Sequence, residues 1–142
     1  MKTTLPIQII AIEDDGFHLL TSVTLNGKPA SMIIDTGASR SVFDENRIVQ
    51  FLGHNNLEEH DRLSSGLGTN TMTSKKVKLD NLTLGDLQLV NYDATILDLG
   101  HVNTSYEKLE LEPVDGILGG DILKDYQAII DYAGKVLVLS MD

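Results

Sequence analysis

The amino-acid sequence predicts a mostly β protein, and two observations support this fold class. Short runs of β-branched and aliphatic residues recur along the chain, and turn-forming residues separate most of them. Asn26-Gly27, between two such runs, is the strongest hairpin signal in the sequence. A segment with helical spacing ends at Leu123, so we predict one short helix in the C-terminal half.

The predicted strands follow one another closely. They cover residues 7–12, 17–25, 30–34, 41–43, 75–79, 82–89 about a turn at Gly85-Asp86, 92–97, 127–132 and 135–140, and the two arms of a Gly-tipped hairpin over 62–72. Asp44 is the predicted N-cap of a helical turn from Asn46 to Leu52, which Gly53 ends. Residues 54–61 are polar and predict a surface loop, and residues 106–109 could form a further helical turn.

Length and composition limit the classes of protein to consider. A chain of 142 residues with 42% hydrophobic and 23% charged residues predicts one globular domain over residues 1–142. The formal charge of -10 argues against nucleic acid and anionic membranes as partners, because both are polyanions. No apolar run reaches the roughly 20 residues that a membrane span needs. We therefore expect a soluble protein, cytoplasmic by default and exported if a leader has been removed.

The residue types that commonly bind metals give no clear site. Cysteine is absent, which excludes disulfides, thiol nucleophiles and cysteine-based metal sites. His54 and His60, with the acidic residues near them, match no standard metal-ligand spacing, and a solvated loop is the better interpretation. We predict no metal and no cofactor.

The stretch that carries the candidate chemistry is Ile33-Ile34-Asp35-Thr36-Gly37-Ala38. Two aliphatic residues lead a buried strand up to a carboxylate, and Gly37 lets the backbone turn sharply after it. A carboxylate in such a position is costly unless it is hydrogen-bonded or used in a reaction. Asp35 is therefore the candidate catalytic residue.

A weaker version of the same pattern lies about 80 residues further along the chain. There the apolar pair Ile117 and Leu118 precedes Gly119, and a helical segment follows. Between the two patterns lies the hairpin with the tip Gly66-Leu67-Gly68-Thr69, whose glycines allow it to bend.

The apolar-apolar-Asp-Thr-Gly-Ala string resembles the active-site motif of aspartic proteases, most closely that of the single-domain retropepsin-like (retroviral-type) family. The order of strands, motif, hairpin, second glycine motif, helix and final strands is also similar. This resemblance implies a closed β-barrel-like acid protease fold and aspartic-type endopeptidase activity on a peptide or protein substrate. It also implies that the hairpin is the flap that closes over bound peptide, and that residues 117–119 are a structural second motif without a catalytic Asp.

The resemblance also gives roles to the residues around Asp35. The Thr36 hydroxyl would bond the motif loop of the opposite subunit, and the Gly37 amide would help to hold the carboxylates near coplanar. Ala38 lacks the hydroxyl that many pepsin-like enzymes carry here and that would support ionisation of the Asp.

A single Asp35 cannot be both the general base for a water molecule and the acid that bonds the scissile carbonyl. Two carboxylates within about 3 Å can share these roles, because their repulsion keeps one proton between them. A symmetric dimer brings the same residue of both chains to one axis. We therefore predict a homodimer that is active only as a dimer, with one Asp35 from each subunit.

Several alternatives stay open at this stage. Asp115 could supply a second carboxylate within one chain, although an Asp beside Gly is most often turn structure. Retroviral enzymes usually pair an acidic residue after the motif with an Arg after the second glycine. The charges are exchanged here, so we hypothesise a reversed pair of Arg40 with Asp121. The chain could also be a catalytically silent peptide-binding or regulatory domain, or a protease domain cut from a longer polypeptide.

Overall fold

The structure is a computed structural model, and it describes residues 1–13, 16–53, 58–64 and 72–141. The described strands are β1 (Lys2–Pro6), β2 (Gln8–Ala11), β3 (Phe17–Leu25), β4 (Lys28–Ile34), β5 (Val42–Asp44), β6 (Glu58–Ser64), β7 (Met72–Leu84), β8 (Leu87–Leu97), β9 (Gly116–Leu118), β10 (Ile129–Asp131) and β11 (Val136–Ser140). The described helices are α1 (Glu45–Leu52), α2 (Gly100–Lys108) and α3 (Gly120–Asp125). Within these ranges, none of the helices has the length and apolar character needed to cross a membrane.

Six strands close into a barrel. They are neighbours in the order β3, β4, β9, β5, β8 and β7, and β7 returns to β3 through the pairs Thr24 with Thr83 and Leu25 with Leu82. β2 extends this sheet beyond β3, and β6 extends it beyond β7. A second sheet joins the two ends of the chain in the order β1, β11, β10. The predicted fold class, a mostly β closed barrel, is confirmed.

Local signals in the sequence account for several element boundaries. Asn26 and Gly27 have φ of 47° and 84°, which is the left-handed backbone that a two-residue hairpin turn requires between β3 and β4. The Asp44 side chain accepts a hydrogen bond from the Asn46 amide at the start of α1, and Gly53 ends that helix with φ of 77°. The predicted hairpin, N-cap and helix end are confirmed.

The apolar side chains form two clusters on opposite faces of β4. Met32 and Ile34 belong to the main core inside the barrel, whereas Ile33 belongs to a smaller cluster with Leu20, Tyr106 and Val114. Alternate residues of a strand point to opposite faces, so this division follows from the strand geometry. We call the smaller group, Leu20, Ile33, Tyr106 and Val114, the second cluster.

The strand predicted over residues 7–12 is present as β2 (Gln8–Ala11), whereas β1 (Lys2–Pro6) has no counterpart among the predicted strands. Two predictions about individual elements were wrong. Residues 58–61, predicted as surface loop, are the first half of β6, which pairs with β7. The second half of the chain contains two helices rather than one, because α2 extends the weak helical turn predicted at 106–109 back to Gly100.

Asn103 of α2 links this helix to the strands beneath it. Its Oδ1 accepts from the Val114 amide at 2.8 Å, and its Nδ2 donates to the Val114 carbonyl at 3.0 Å and to Asp44 Oδ2 at 3.3 Å. Val114 is fully buried, so water cannot replace these bonds. Asn103 therefore satisfies both backbone groups of Val114, a member of the second cluster, and attaches α2 to it.

We expect Asn103→Ala to lower the free energy of unfolding by about 2–6 kcal/mol, because two buried backbone groups lose their partners at about 1–3 kcal/mol each. Denaturant unfolding measures the change. Ser105→Ala, an exposed substitution on the same helix, is the control and is expected to stay within about 0.5 kcal/mol. A loss for Asn103→Ala as small as that of the control would contradict this role.

Candidate active site

The motif loop begins where β4 ends. The Asp35 amide donates to the Leu118 carbonyl at 3.0 Å, which extends the β4–β9 pairing by one residue. The Ala38 amide donates back to the Asp35 carbonyl at 3.2 Å and closes a turn. The loop is thus fixed by backbone hydrogen bonds at both ends.

The carboxylate of Asp35 lies at the surface of the chain. Its Oδ1 accepts a hydrogen bond from the Gly37 amide at 2.9 Å. Asp35, Thr36 and Gly37 are exposed, and Ala38 is half-buried. The structure therefore brings the four predicted motif residues together on one exposed turn.

The second glycine motif lies directly against this turn. β9 runs parallel to β4, with Ile33 opposite Ile117 and Ile34 opposite Leu118. A Cβ atom at Gly119 would lie only 2.7 Å from the Arg40 carbonyl carbon and 2.8 Å from the Ala38 oxygen. Gly119 is therefore the point of closest approach between the two motifs, and only a residue without Cβ fits there.

Ser41 and Asp121 connect the two motifs by side-chain hydrogen bonds. Asp121 Oδ1 accepts from the Ser41 amide at 2.9 Å and from the Ser41 hydroxyl at 2.7 Å. The Ser41 hydroxyl oxygen accepts from the Gly119 amide at 2.8 Å. The hypothesised ion pair of Arg40 with Asp121 is wrong, since the Asp121 carboxylate binds a neutral serine instead.

Asp115 has a structural role in the barrel. Its Oδ2 accepts from the Ser31 amide at 2.8 Å, and its Oδ1 accepts from Arg47 Nε of α1 at 2.7 Å. Asp115 is only 6% exposed, so these contacts hold it in place. Both carboxylate oxygens are engaged away from Asp35, and this argues against the alternative in which Asp115 is its partner within one chain.

Comparison with known proteins now identifies the family. The sequence model of the aspartyl protease family matches residues 21–122, which is more than half of the chain. The chain belongs to the aspartyl protease family. Comparison with curated proteins gives no match.

Solved structures show the same fold for this family member. A retropepsin-like aspartic protease from Rickettsia conorii has a TM-score of 0.56 at 20% identity, over 98% of this chain and 94% of that chain. The retroviral protease-like domain of Ddi1 from Leishmania major has a TM-score of 0.57 at 16% identity, over 86% of this chain and 87% of that chain. EIAV protease, solved with an inhibitor, has a TM-score of 0.56 at 22% identity, over 84% of this chain and 97% of that chain. The predicted resemblance to the retropepsin-like family is confirmed.

The predicted flap is described only in its arms. β6 and β7 pair antiparallel, with Leu63 opposite Thr73 and Ser64 opposite Met72. The tip residues Gly66, Leu67, Gly68 and Thr69 lie outside the described residues. The antiparallel arms agree with the predicted hairpin of this family member.

Tyr92 of β8 lies in the electrostatic field of the second motif. Burial raises its pKa well above the ordinary value, and the negative charge of Asp121 adds to this, while Arg40 acts in the opposite direction. Tyr92 also packs edge-on against Phe43, with 6.5 Å between ring centroids. Its hydroxyl therefore stays neutral at pH values where a free tyrosine ionises.

Sequence reasoning found the motif residues but missed the polar side chains that support them. The sequence pattern does not single out Ser41, and the exchange of charges predicts Arg40 rather than Ser41 as the partner of Asp121. The spacing of these residues along the chain gives no hint of contact, because they belong to segments about 80 residues apart.

We expect Gly119→Ala to displace the motif loop and to lower the free energy of unfolding by about 1–3 kcal/mol, because the added methyl group meets backbone atoms that cannot move independently. Denaturant unfolding measures the cost. Gly120→Ala is the matched control, since its Cβ would lie 3.3 Å from the Ala38 oxygen and the residue begins a helix. Equal stability of the two variants would contradict the close packing of the motifs.

The raised pKa of Tyr92 predicts a loss of stability in alkali. As the pH rises above about 10, the unfolded chain releases the tyrosine proton first, so unfolding becomes more favourable. Tyr92→Phe should therefore show a smaller fall in melting temperature between pH 9 and pH 11 than the parent protein. Tyr132→Phe, at an exposed position, controls for the loss of a hydroxyl. Parallel curves for Tyr92→Phe and the parent would show that this proton release is unimportant.

Proposed function

We propose that the chain is an aspartic endopeptidase that hydrolyses peptide or protein substrates as a homodimer, each chain contributing one domain and one Asp35. The observation that carries the proposal is the exposed Asp35 carboxylate on a turn fixed by the second glycine motif. The two acidic residues that flank the second motif, Asp115 and Asp121, are bound to other groups. The chain therefore presents one half of a two-carboxylate site.

The proposed chemistry needs two carboxylates that share one proton. One of them, ionised, takes a proton from a water molecule, whose oxygen attacks the scissile carbonyl carbon. The other, protonated, bonds the carbonyl oxygen as it gains negative charge. The tetrahedral intermediate then breaks its C–N bond as the nitrogen accepts a proton. A symmetric dimer supplies both groups from one residue, because each copy faces the other across the axis.

The residues beside Asp35 would support this pair. The Gly37 amide, 2.9 Å from Asp35 Oδ1, would keep the carboxylate in one orientation. The exposed Thr36 hydroxyl would bond the motif turn of the partner subunit. Ala38 would fix the turn through its carbonyl, which accepts from the Gly120 amide at 2.6 Å.

The surroundings of Asp35 favour a peptide with apolar side chains. Asp35 directly follows β4 and continues its pairing with β9, so its side chain would lie on the side of Ile33, a member of the second cluster, because strand residues two apart share a face. Ile117 of β9 packs against this cluster and stays partly exposed. The proposed cleft thus has an aliphatic floor beside the reacting carboxylates.

The key test removes one carboxylate charge without changing its shape. We expect Asp35→Asn to abolish cleavage of a mixed peptide library, whereas Asp80→Asn, the same change at an exposed site, leaves cleavage intact. Cleavage products are counted by mass spectrometry. Loss of activity in both variants, or in neither, would contradict the role of Asp35.

Mixing experiments test the dimer itself. When Asp35→Asn protein is added to an equal amount of parent protein and the subunits are allowed to exchange, activity should fall to about one half, because half of the parent subunits then sit in mixed dimers with one carboxylate. Asp80→Asn added in the same way should about double the activity, because both proteins are then active. Activity that is independent of added Asp35→Asn protein would indicate a monomeric enzyme.

A further inference from the structure

A histidine and a tyrosine form a hydrogen-bonded pair at the edge of the second cluster. His18 Nδ1 lies 2.7 Å from the Tyr106 hydroxyl oxygen. The two rings are stacked, with 5.8 Å between their centroids and 27° between their planes. Tyr106 is 2% exposed and is the buried residue of α2, whereas His18 is partly exposed. The buried tyrosine therefore fixes the position of the partly exposed histidine ring.

The strand register places this pair beside the motif turn. Leu20 pairs with Ile33 and Leu19 with Ile34, so the next position in the register would set His18 opposite Asp35. Leu20 and Ile33 both belong to the second cluster, and His18, two residues before Leu20 on β3, reaches the Tyr106 hydroxyl of that cluster. Asp35 directly follows β4 and continues its pairing with β9 through the bond from its amide to the Leu118 carbonyl, so the alternation of the strand places its side chain on the side of Ile33. His18 thus stands beside the proposed cleft, on the same side of the sheet as the carboxylate.

The hydrogen bond also decides which nitrogen of His18 carries the proton. Burial raises the pKa of Tyr106, so its hydroxyl keeps its proton near neutral pH. A buried O–H needs an acceptor, and within the described residues His18 Nδ1 is the one that the Tyr106 hydroxyl meets. Nδ1 then accepts, and the proton of the neutral ring lies on Nε2. The pair therefore offers an N–H donor in a fixed ring orientation.

We propose that His18 is a specificity-determining residue of the cleft, whose Nε2–H selects a substrate side chain carrying a carbonyl or carboxylate oxygen near the cleaved bond. Tyr106 is its positioning residue, since it holds the ring and its tautomer without touching the substrate. The inference rests on the proposed peptidase function. The expected substrates are peptides with Gln, Asn, Glu or Asp at one position near the cleaved bond, in a cleft that is otherwise lined by apolar side chains.

The test uses pairs of peptides that differ only by Gln or Met at each position around the cleaved bond, because these side chains have nearly the same length. The parent protein should prefer Gln at one position by about 3- to 10-fold in kcat/KM, the factor that one net hydrogen bond supplies. In His18→Leu this ratio should fall to about 1, and in His18→Gln, which restores an N–H donor, it should partly return. His101→Gln, an exposed histidine of α2, is the matched control. A ratio unchanged in His18→Leu would overturn the inference.

Two further measurements do not require catalysis. Nitrogen-15 NMR of the imidazoles, with His18 assigned through His18→Gln, should show Nε2 protonated in the parent protein and a mixture of tautomers in Tyr106→Phe. Binding of the same peptide pairs to Asp35→Asn protein should favour Gln by a similar factor. A proton on Nδ1 in the parent, or equal binding of both peptides, would overturn the role of His18. If these two results hold but no peptide is cleaved by the parent protein, the proposed peptidase function fails and the recognition by His18 stands.

Discussion

The parallel pairing of β4 with β9 is the interaction on which the candidate site depends. It sets the Asp35 amide against the Leu118 carbonyl, and it brings the turn after β4 into contact with the backbone at Gly119. Two segments about 80 residues apart are thereby locked together, with Ser41 and Asp121 adding side-chain bonds across the junction. A carboxylate at the end of such a strand is held by the barrel itself, and a site on a rigid element is more precise than one on a free loop.

Much of the barrel could be predicted because its signals are local. The Asn26-Gly27 turn needs left-handed backbone at two successive residues, and the Asp44 cap needs one short polar side chain before a helix. The motif around Asp35 is equally local, since an apolar pair, a carboxylate and a glycine occupy consecutive positions. Alternation of buried residues then decides which face of each strand enters the core.

The parts that could not be predicted depend on contacts between distant segments. β1 has no counterpart among the predicted strands, because its partner is β11 at the other end of the chain and no local pattern indicates that pairing. Opposite charge alone predicts that Asp121 pairs with Arg40. In the folded chain the Asp121 carboxylate instead accepts hydrogen bonds from the Ser41 amide and hydroxyl. His18 and Tyr106 meet because α2 covers the second cluster, and the sequence around residue 106 indicated only a weak helical turn.

The central claim is that each chain carries half of a site, so that two copies together hold one substrate. The most direct measurement is native mass spectrometry of the protein with a statine-type peptide, which imitates the tetrahedral intermediate. The account predicts a complex of two chains with one peptide, formed by the parent protein and weakened in Asp35→Asn, which lacks the carboxylates that bind the statine hydroxyl. A complex of one chain with one peptide, or two peptides on each pair of chains, would contradict it.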